Sequence, residues 1–222
     1  MNIVDECIKN SIDIWDKCLS TDFIIRMQEG SLKKDAFLKY LVQDSLYLRD
    51  YVKTFAYAFI KCQNWKQMQF FASSINYVND SENTTRLNYL KEFNLRDSDI
   101  DKMKKTKECE NYTNFLLNTG KLEDISCILM AVLPCMLGYH YVFNKILEKS
   151  PHLLSGYYSN LVKDYTNDKY NKATIEWTNF TKKICEDISN NDLVKLRNIF
   201  FQASTHELIF WKMLGDNDNG SV

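Results

Sequence analysis

The chain has 222 residues, of which 45% are hydrophobic and 26% are charged. These proportions are typical of a globular protein and exclude a disordered one. The 28 basic and 29 acidic residues nearly cancel, which argues against electrostatic binding of nucleic acid, since that requires a strongly basic face.

Apolar residues recur at spacings of three and four between the positions that break helices, a pattern typical of amphipathic helices. Two prolines and six glycines are too few for a sheet protein with many turns. We therefore predict one all-α domain over residues 1–222, with 216–222 as a mobile tail. The predicted helices lie near 3–19, 21–29, 33–62, 65–92, 106–119, 122–149, 153–187 with a break, and 191–214. The segment 93–108 carries no clear pattern, and Gly120 is interpreted as a joint between helices.

The predicted helix over 33–62 places a carboxylate among aromatic rings. Residues three, four or seven positions apart lie on nearly the same side of a helix, so Asp44, Tyr47 and Tyr51 share a face that is otherwise apolar. An unpaired charge on such a face is costly to bury. Two interpretations of Asp44 stay open: an ion pair with a cation of another helix, or a binding function.

The segment 125–144 contains no charged residue, and its length is sufficient to span a bilayer. It also contains Pro134, Gly138 and several polar side chains. We therefore predict a central helix buried on all sides rather than a membrane helix.

Seven cysteines are widely spaced, without any C-x-x-C pair. The odd number and wide spacing argue against a disulfide framework and against a zinc site, and they indicate a reducing compartment, the cytoplasm. The acidic start of the chain does not resemble a signal peptide. The three histidines show no metal-ligand spacing, so neither a metal nor a cofactor is predicted.

Cys135 follows Pro134, which removes the helical hydrogen bond to the Met130 carbonyl and kinks the helix. A kink can expose the sulfur or can be only a packing bend, so a reactive thiol and an inert core cysteine both stay open. His140 lies about 140° away around the helix, which excludes a Cys-His dyad within it. A base would have to come from another helix, and Glu207 is one such carboxylate, with an interhelical ion pair as its alternative.

These segments, in this order and spacing, resemble the TenA family, the thiaminase II or aminopyrimidine aminohydrolase enzymes of thiamin salvage. The resemblance covers nearly the whole chain. It rests on Gly30, Phe37-Leu-x-Tyr-Leu-x-Gln-Asp44, Asn111-Tyr-Thr113, Leu133-Pro-Cys135 with Tyr139, Leu161-Val-x-x-Tyr165 and Glu207-x-x-Phe-Trp211. Leu161 stands where the family usually has Trp, and the segment from Asn167 to Tyr170 replaces a pattern of small residues and Phe.

The resemblance implies a haem-oxygenase-like helical bundle that binds no haem and is usually a homotetramer. It implies a hydrolase that replaces the amine or thiazole on the methylene of a 4-amino-2-methylpyrimidine by water, with a free aminopyrimidine or thiamin as substrate. Cys135 would be the nucleophile, Glu207 would move the proton, and Tyr47 would hydrogen-bond to Cys135. The residues implied in substrate binding are Asp44, Tyr51, Tyr112, Tyr139 and Tyr165, with Tyr51 and Tyr112 as walls for the ring. The alternative is a pyrimidine-binding protein without turnover, or an indirect regulatory protein, on the same fold.

Overall fold

A computed structural model of the chain describes residues 2–78, 83–186 and 188–215, and the predicted tail lies outside these ranges. All regular secondary structure in the described residues is helical, and these residues contain no β-strand, which confirms the all-α prediction. The helices are α1 (Ile3–Leu19), α2 (Asp22–Glu29), α3 (Lys34–Ile60), α4 (Trp65–Tyr77), α5 (Asn83–Glu92), α6 (Asp97–Ile100), α7 (Lys107–Leu122), α8 (Ile125–Lys149), a 3-10 turn (Pro151–Leu154), α9 (Ser159–Thr166), α10 (Asp168–Ile184) and α11 (Asn190–Met213).

The structure can be compared with the predicted elements in three places. The break expected within 153–187 lies at Asn167, whose backbone is extended and whose side chain accepts a hydrogen bond from the Tyr170 amide at the start of α10. The short helix α6 falls in the segment for which no helix was predicted. Part of the helix predicted over 65–92 lies outside the described residues, between the end of α4 and the start of α5.

The interpretation of Gly120 as a joint was wrong, because α7 continues through it to Leu122. A Cβ atom at Gly120 would lie 3.0 Å from the Tyr57 ring of α3. The glycine therefore allows α3 and α7 to approach closely. The connection to α8 is correspondingly short, and Asp124 starts α8 by accepting a hydrogen bond from the Cys127 amide at 2.9 Å.

The centre of the fold is α8, which packs against α1, α3, α7, α9, α10 and α11. Among the described residues, it is the one helix whose length and composition would allow it to cross a membrane, and 78% of its apolar window is buried within the protein. The prediction of a buried central helix is therefore confirmed. Cys135 therefore lies on a helix that is surrounded by other helices.

Gly30 ends α2 in the left-handed conformation, with φ of 71°. The following amide, that of Ser31, turns back to bond with the Arg26 carbonyl at 2.9 Å. This geometry is typical of a glycine cap, because a Cβ atom is strained at positive φ.

We expect Gly30→Ala to lower the free energy of unfolding by about 1–2 kcal/mol, the cost of placing an L-residue in the left-handed region. Gly156→Ala is the control, because Gly156 lacks a positive φ and a Cβ there would have only the His152 carbonyl within reach, at 3.9 Å. Urea unfolding of both variants measures the difference. An equal effect of the two substitutions would contradict this explanation.

Candidate active site

A cavity of about 160 Å³ lies between α8 and the helices that surround it. Its walls are mainly aromatic, and its polar groups include one thiol and two carboxylates. The lining residues are Asp44, Leu48, Tyr51, Phe55, Phe70, Ser73, Ser74, Tyr77, Val78, Cys135, Met136, Tyr139, Tyr165, Tyr170, Ala173, Glu176 and Trp177. A space of this size and composition suits a flat, partly polar small molecule.

The half-buried Cys135 lies on the cavity wall, within α8. Two tyrosine hydroxyls hold the backbone on either side of it. Tyr51 donates to the Val132 carbonyl at 2.9 Å, and Tyr170 donates to the Met136 carbonyl at 3.3 Å. These bonds fix the position of the thiol in the turn where the proline of α8 removes a helical hydrogen bond.

The Glu207 carboxyl, on α11, is only 2% exposed. The Tyr112 hydroxyl donates to its Oε1 at 2.6 Å, and the Cys135 thiol also forms a hydrogen bond with it. Burial raises the pKa of Glu207 to about 7, because desolvation outweighs both hydrogen bonds and the nearby Asp44 adds to the effect. A carboxyl with this pKa can both accept and release a proton near neutral pH.

Tyr47 is buried near Cys135, with its ring centroid 4.9 Å from that of Tyr112, and its hydroxyl does not form the hydrogen bond to the thiol that the resemblance implied. Burial raises the pKa of Tyr47 well above its usual value, and the neighbouring Cys135, Tyr112 and Glu207 add to the effect. The phenol therefore stays protonated. Neither tyrosine is among the residues that line the cavity, so Tyr112 contacts the Glu207 carboxyl where the resemblance implied a wall for the ring.

The Asp44 carboxyl, on α3, lines the cavity and is 6% exposed. Burial raises its pKa to about 7, against the positive charge of Arg86 and a hydrogen bond from Tyr139. The structure gives Asp44 both a cationic neighbour and a place on the cavity wall, and its binding function stays a prediction.

Of the other expected binding residues, Tyr51, Tyr139 and Tyr165 line the cavity. The walls contributed by α4 and α10 were not predicted. On α10, the spacing of Tyr170, Ala173 and Trp177 is that of one helix face, a signal present in the sequence. Nothing local to α10 indicates that this face meets α8.

Comparison with known proteins gives a consistent family assignment. Residues 8–217 match the TENA/THI-4/PQQC family. The chain is 26% identical to the aminopyrimidine aminohydrolase of Helicobacter pylori, covering 96% of this chain and 98% of the relative. It is 25% identical to the aminopyrimidine aminohydrolase of Halalkalibacterium halodurans, covering 90% and 89%.

Solved structures agree on the fold. A TenA homologue from P. horikoshii OT3 superimposes with a TM-score of 0.83 at 25% identity, over 96% of this chain and 98% of that one. A domain from Shewanella denitrificans, described as having a heme oxygenase-like fold, gives a TM-score of 0.73 at 13% identity over 98% of both chains. The predicted haem-oxygenase-like fold is thereby confirmed.

The two buried carboxyls predict an unusual dependence of stability on pH. The usual pKa values of Asp44 and Glu207 are 3.8 and 4.5, whereas both are raised to about 7 in the folded protein. Between these values the folded state binds more protons than the unfolded chain, so each group lowers the free energy of unfolding as pH rises from about 4 to 7. The decrease approaches about 1.4 kcal/mol per pH unit for each group. The free energy of unfolding of Glu207→Gln, relative to that of the unsubstituted protein, should therefore be higher at pH 7 than at pH 5.

Asp50→Asn is the matched control, since Asp50 is a buried carboxyl on the same helix as Asp44. Although burial alone would raise its pKa, hydrogen bonds from Lys105 and Lys53 hold that pKa below the usual value. Its contribution to stability is thus present near neutral pH and is lost as pH falls through the folded-state pKa. Unfolding in urea at pH 5, 6 and 7 gives the free energy of unfolding of each variant relative to the unsubstituted protein. This difference should rise with pH for Glu207→Gln and stay nearly constant for Asp50→Asn, since the pKa of Asp50 lies below this range in both states. Parallel slopes would refute the assignment of raised pKa values.

Proposed function

Because the chain belongs to the TENA/THI-4/PQQC family, we propose that it is a thiamin-salvage hydrolase, an aminopyrimidine aminohydrolase of the thiaminase II type. It would replace the amine or thiazole on the exocyclic methylene of a 4-amino-2-methylpyrimidine by water. The observation that carries the proposal is the hydrogen bond between the Cys135 thiol on the cavity wall and the buried Glu207, with Asp44 on the same cavity. The proposal is also supported by the relatives named as aminopyrimidine aminohydrolases, whose sequences align with most of this chain.

In the proposed reaction, Glu207 takes the proton of Cys135 as the sulfur adds to the pyrimidine ring. The ring electrons then expel the amine from the methylene, and this amine takes up the proton that Glu207 holds. Water adds to the methylene and gives its proton to Glu207, the carbon–sulfur bond breaks, and the sulfur takes this proton back from Glu207 to restore the thiol. Tyr47, a buried phenol that stays protonated beside the thiol, would donate a hydrogen bond to the sulfur while it is negative.

Asp44 would accept a hydrogen bond from the exocyclic amino group of the pyrimidine, which presents a donor edge to a fixed carboxylate. The flat faces of the ring would lie against Tyr51, Tyr139 and Tyr165, the tyrosines on the cavity wall that the resemblance implies in binding. Tyr112 would act through Glu207, by holding the carboxyl that moves the proton.

A cytoplasmic location and a homotetrameric assembly stay predictions from the sequence and from the resemblance. All seven cysteines are free thiols, which fits a reducing compartment.

The direct test is incubation of the purified protein with 4-amino-5-aminomethyl-2-methylpyrimidine. We expect the hydroxymethyl product and ammonia in equal amounts. Stabilisation of the protein by the pyrimidine without product would overturn the hydrolase and favour the binding protein on the same fold.

Cys135→Ser should lower turnover by on the order of 10³-fold or more, because the hydroxyl is a far poorer nucleophile than a thiolate. The Kd of the hydroxymethyl product should change by no more than about threefold, which is equivalent to ~0.6 kcal/mol of binding free energy. Cys62→Ser is the control: this thiol is also partly exposed, and it bonds to the Ala58 carbonyl away from the cavity. Near-normal hydrolysis by Cys135→Ser would show that the nucleophile is another group.

Asp44→Asn should raise KM by about tenfold to a hundredfold, the effect of losing a charge-assisted hydrogen bond worth about 1.5–3 kcal/mol. The value of kcat should change much less, because Asp44 binds the ring edge away from the bond that breaks. Asp50→Asn, a buried carboxyl outside the cavity lining, should lower stability and leave KM unchanged. If both substitutions raise KM equally, Asp44 has no specific role in binding.

A further inference from the structure

A second, smaller cavity of about 20 Å³ adjoins Asp44. Its lining comes from α3, α5 and α9 and consists of Tyr40, Leu41, Asp44, Thr85, Arg86, Tyr89, Leu161, Asp164 and Tyr165. Asp44 and Tyr165 line both cavities and therefore separate them. Arg86 lines only the small cavity, and its positive charge favours the ionised form of Asp44.

The Arg86 side chain is held in place by the residues around it, and only 11% of it is exposed. Its Nη1 donates a short hydrogen bond to the Ser45 hydroxyl, next to Asp44 on α3. Both Nη atoms lie 3.4 Å from Oδ1 of Asp97. The guanidinium is thus anchored beside the turn of α3 that carries the carboxyl.

The charges around Asp44 are otherwise unfavourable to its ionised form. Asp164 of α9 lines the small cavity, and burial raises its pKa. Glu207 of α11 is a second carboxyl whose charge interacts with that of Asp44. The tyrosines that line the two cavities near Asp44 contribute neutral hydroxyls and no charge; they include Tyr40, Tyr89, Tyr139 and Tyr165. Among the described residues that line the two cavities, Arg86 is the only cation.

We propose that Arg86 is a positioning residue for substrate binding, whose guanidinium behind the wall favours the ionised form of Asp44 that accepts the amino group of the aminopyrimidine. An ionised carboxylate accepts hydrogen bonds with both oxygens, whereas a protonated one presents a hydroxyl that competes with the amino group of the ring. The substrate class in this inference rests on the proposed function, while the effect of Arg86 on Asp44 does not.

The test titrates the Asp44 carboxyl by ¹³C NMR, with Asp44→Asn to identify its resonance. Arg86→Met should raise the titration midpoint by about one pH unit, the lower end of the effect of a neighbouring opposite charge. At pH 7 it should raise KM for the aminopyrimidine about fivefold and leave kcat within about threefold, because a midpoint that moves from about 7 to about 8 lowers the ionised fraction of Asp44 from about one half to about one eleventh. Arg86→Lys, which keeps the charge, should recover most of both effects.

Arg49→Met is the matched control. Arg49 also pairs with Asp97, at 3.4 Å, but it lines neither cavity, so this substitution should change neither the midpoint nor KM. Arg86→Gln, which keeps a neutral hydrogen-bond donor, replaces Arg86→Met if the latter does not fold. An Asp44 midpoint in the uncharged Arg86 variant equal to that of Arg49→Met would overturn the proposal. Since the NMR titration needs no turnover, an inactive but folded protein would refute the hydrolase and still test Arg86.

Discussion

A carboxyl group at the centre of a helical bundle must find hydrogen-bond donors, because burying it without partners costs several kcal/mol. Glu207 meets this requirement with a hydroxyl from α7 and a thiol from α8, while its own backbone belongs to α11. The packing of these three helices is therefore coupled to one buried group. Each donor is neutral, so the carboxyl keeps a pKa near 7 and remains able to exchange a proton with Cys135.

The absence of charge from the middle of α8 follows from the same geometry. A helix with neighbours on all sides has no solvent-facing surface on which a charged side chain could be hydrated. Polar contacts to its backbone therefore come from neutral tyrosine hydroxyls, such as those of Tyr51 and Tyr170 on either side of Cys135. In such surroundings each hydrogen bond is stronger than in water, and each misplaced one is more costly. This makes the position of the thiol well defined.

Helix periodicity and uninterrupted apolar character were sufficient to predict most helices and the burial of α8, because both depend on which side of a helix avoids water. The shared face of Asp44 and Tyr51 was predictable for the same reason. Contacts between distant helices were not. Gly120 was taken for a joint because glycine is a common helix breaker, but its role depends on the Tyr57 ring of another helix. Likewise, no local pattern around Arg86 indicates that it faces Asp44.

Burial raises the pKa of both carboxyls of the site to about 7, but the neighbours that oppose this shift differ. Asp44 has a cation behind it, whereas Glu207 has only neutral donors. The negative charge of Asp44 contributes to the raised pKa of Glu207. Ionisation of one carboxyl therefore makes ionisation of the other less favourable. The positive charge of Arg86 favours the ionised form of Asp44.

This coupling connects binding to chemistry in the proposed reaction. An amino group that donates to Asp44 favours the ionised form of that carboxyl, because a hydrogen bond to a carboxylate stabilises its charge. The pKa of Asp44 is about 7, so binding of the ring increases the negative charge at this position. That charge raises the pKa of Glu207. In the proposed reaction, Glu207 therefore holds a proton more strongly when the ring is bound, which favours transfer of the proton from the Cys135 thiol to the carboxyl as the sulfur adds to the ring.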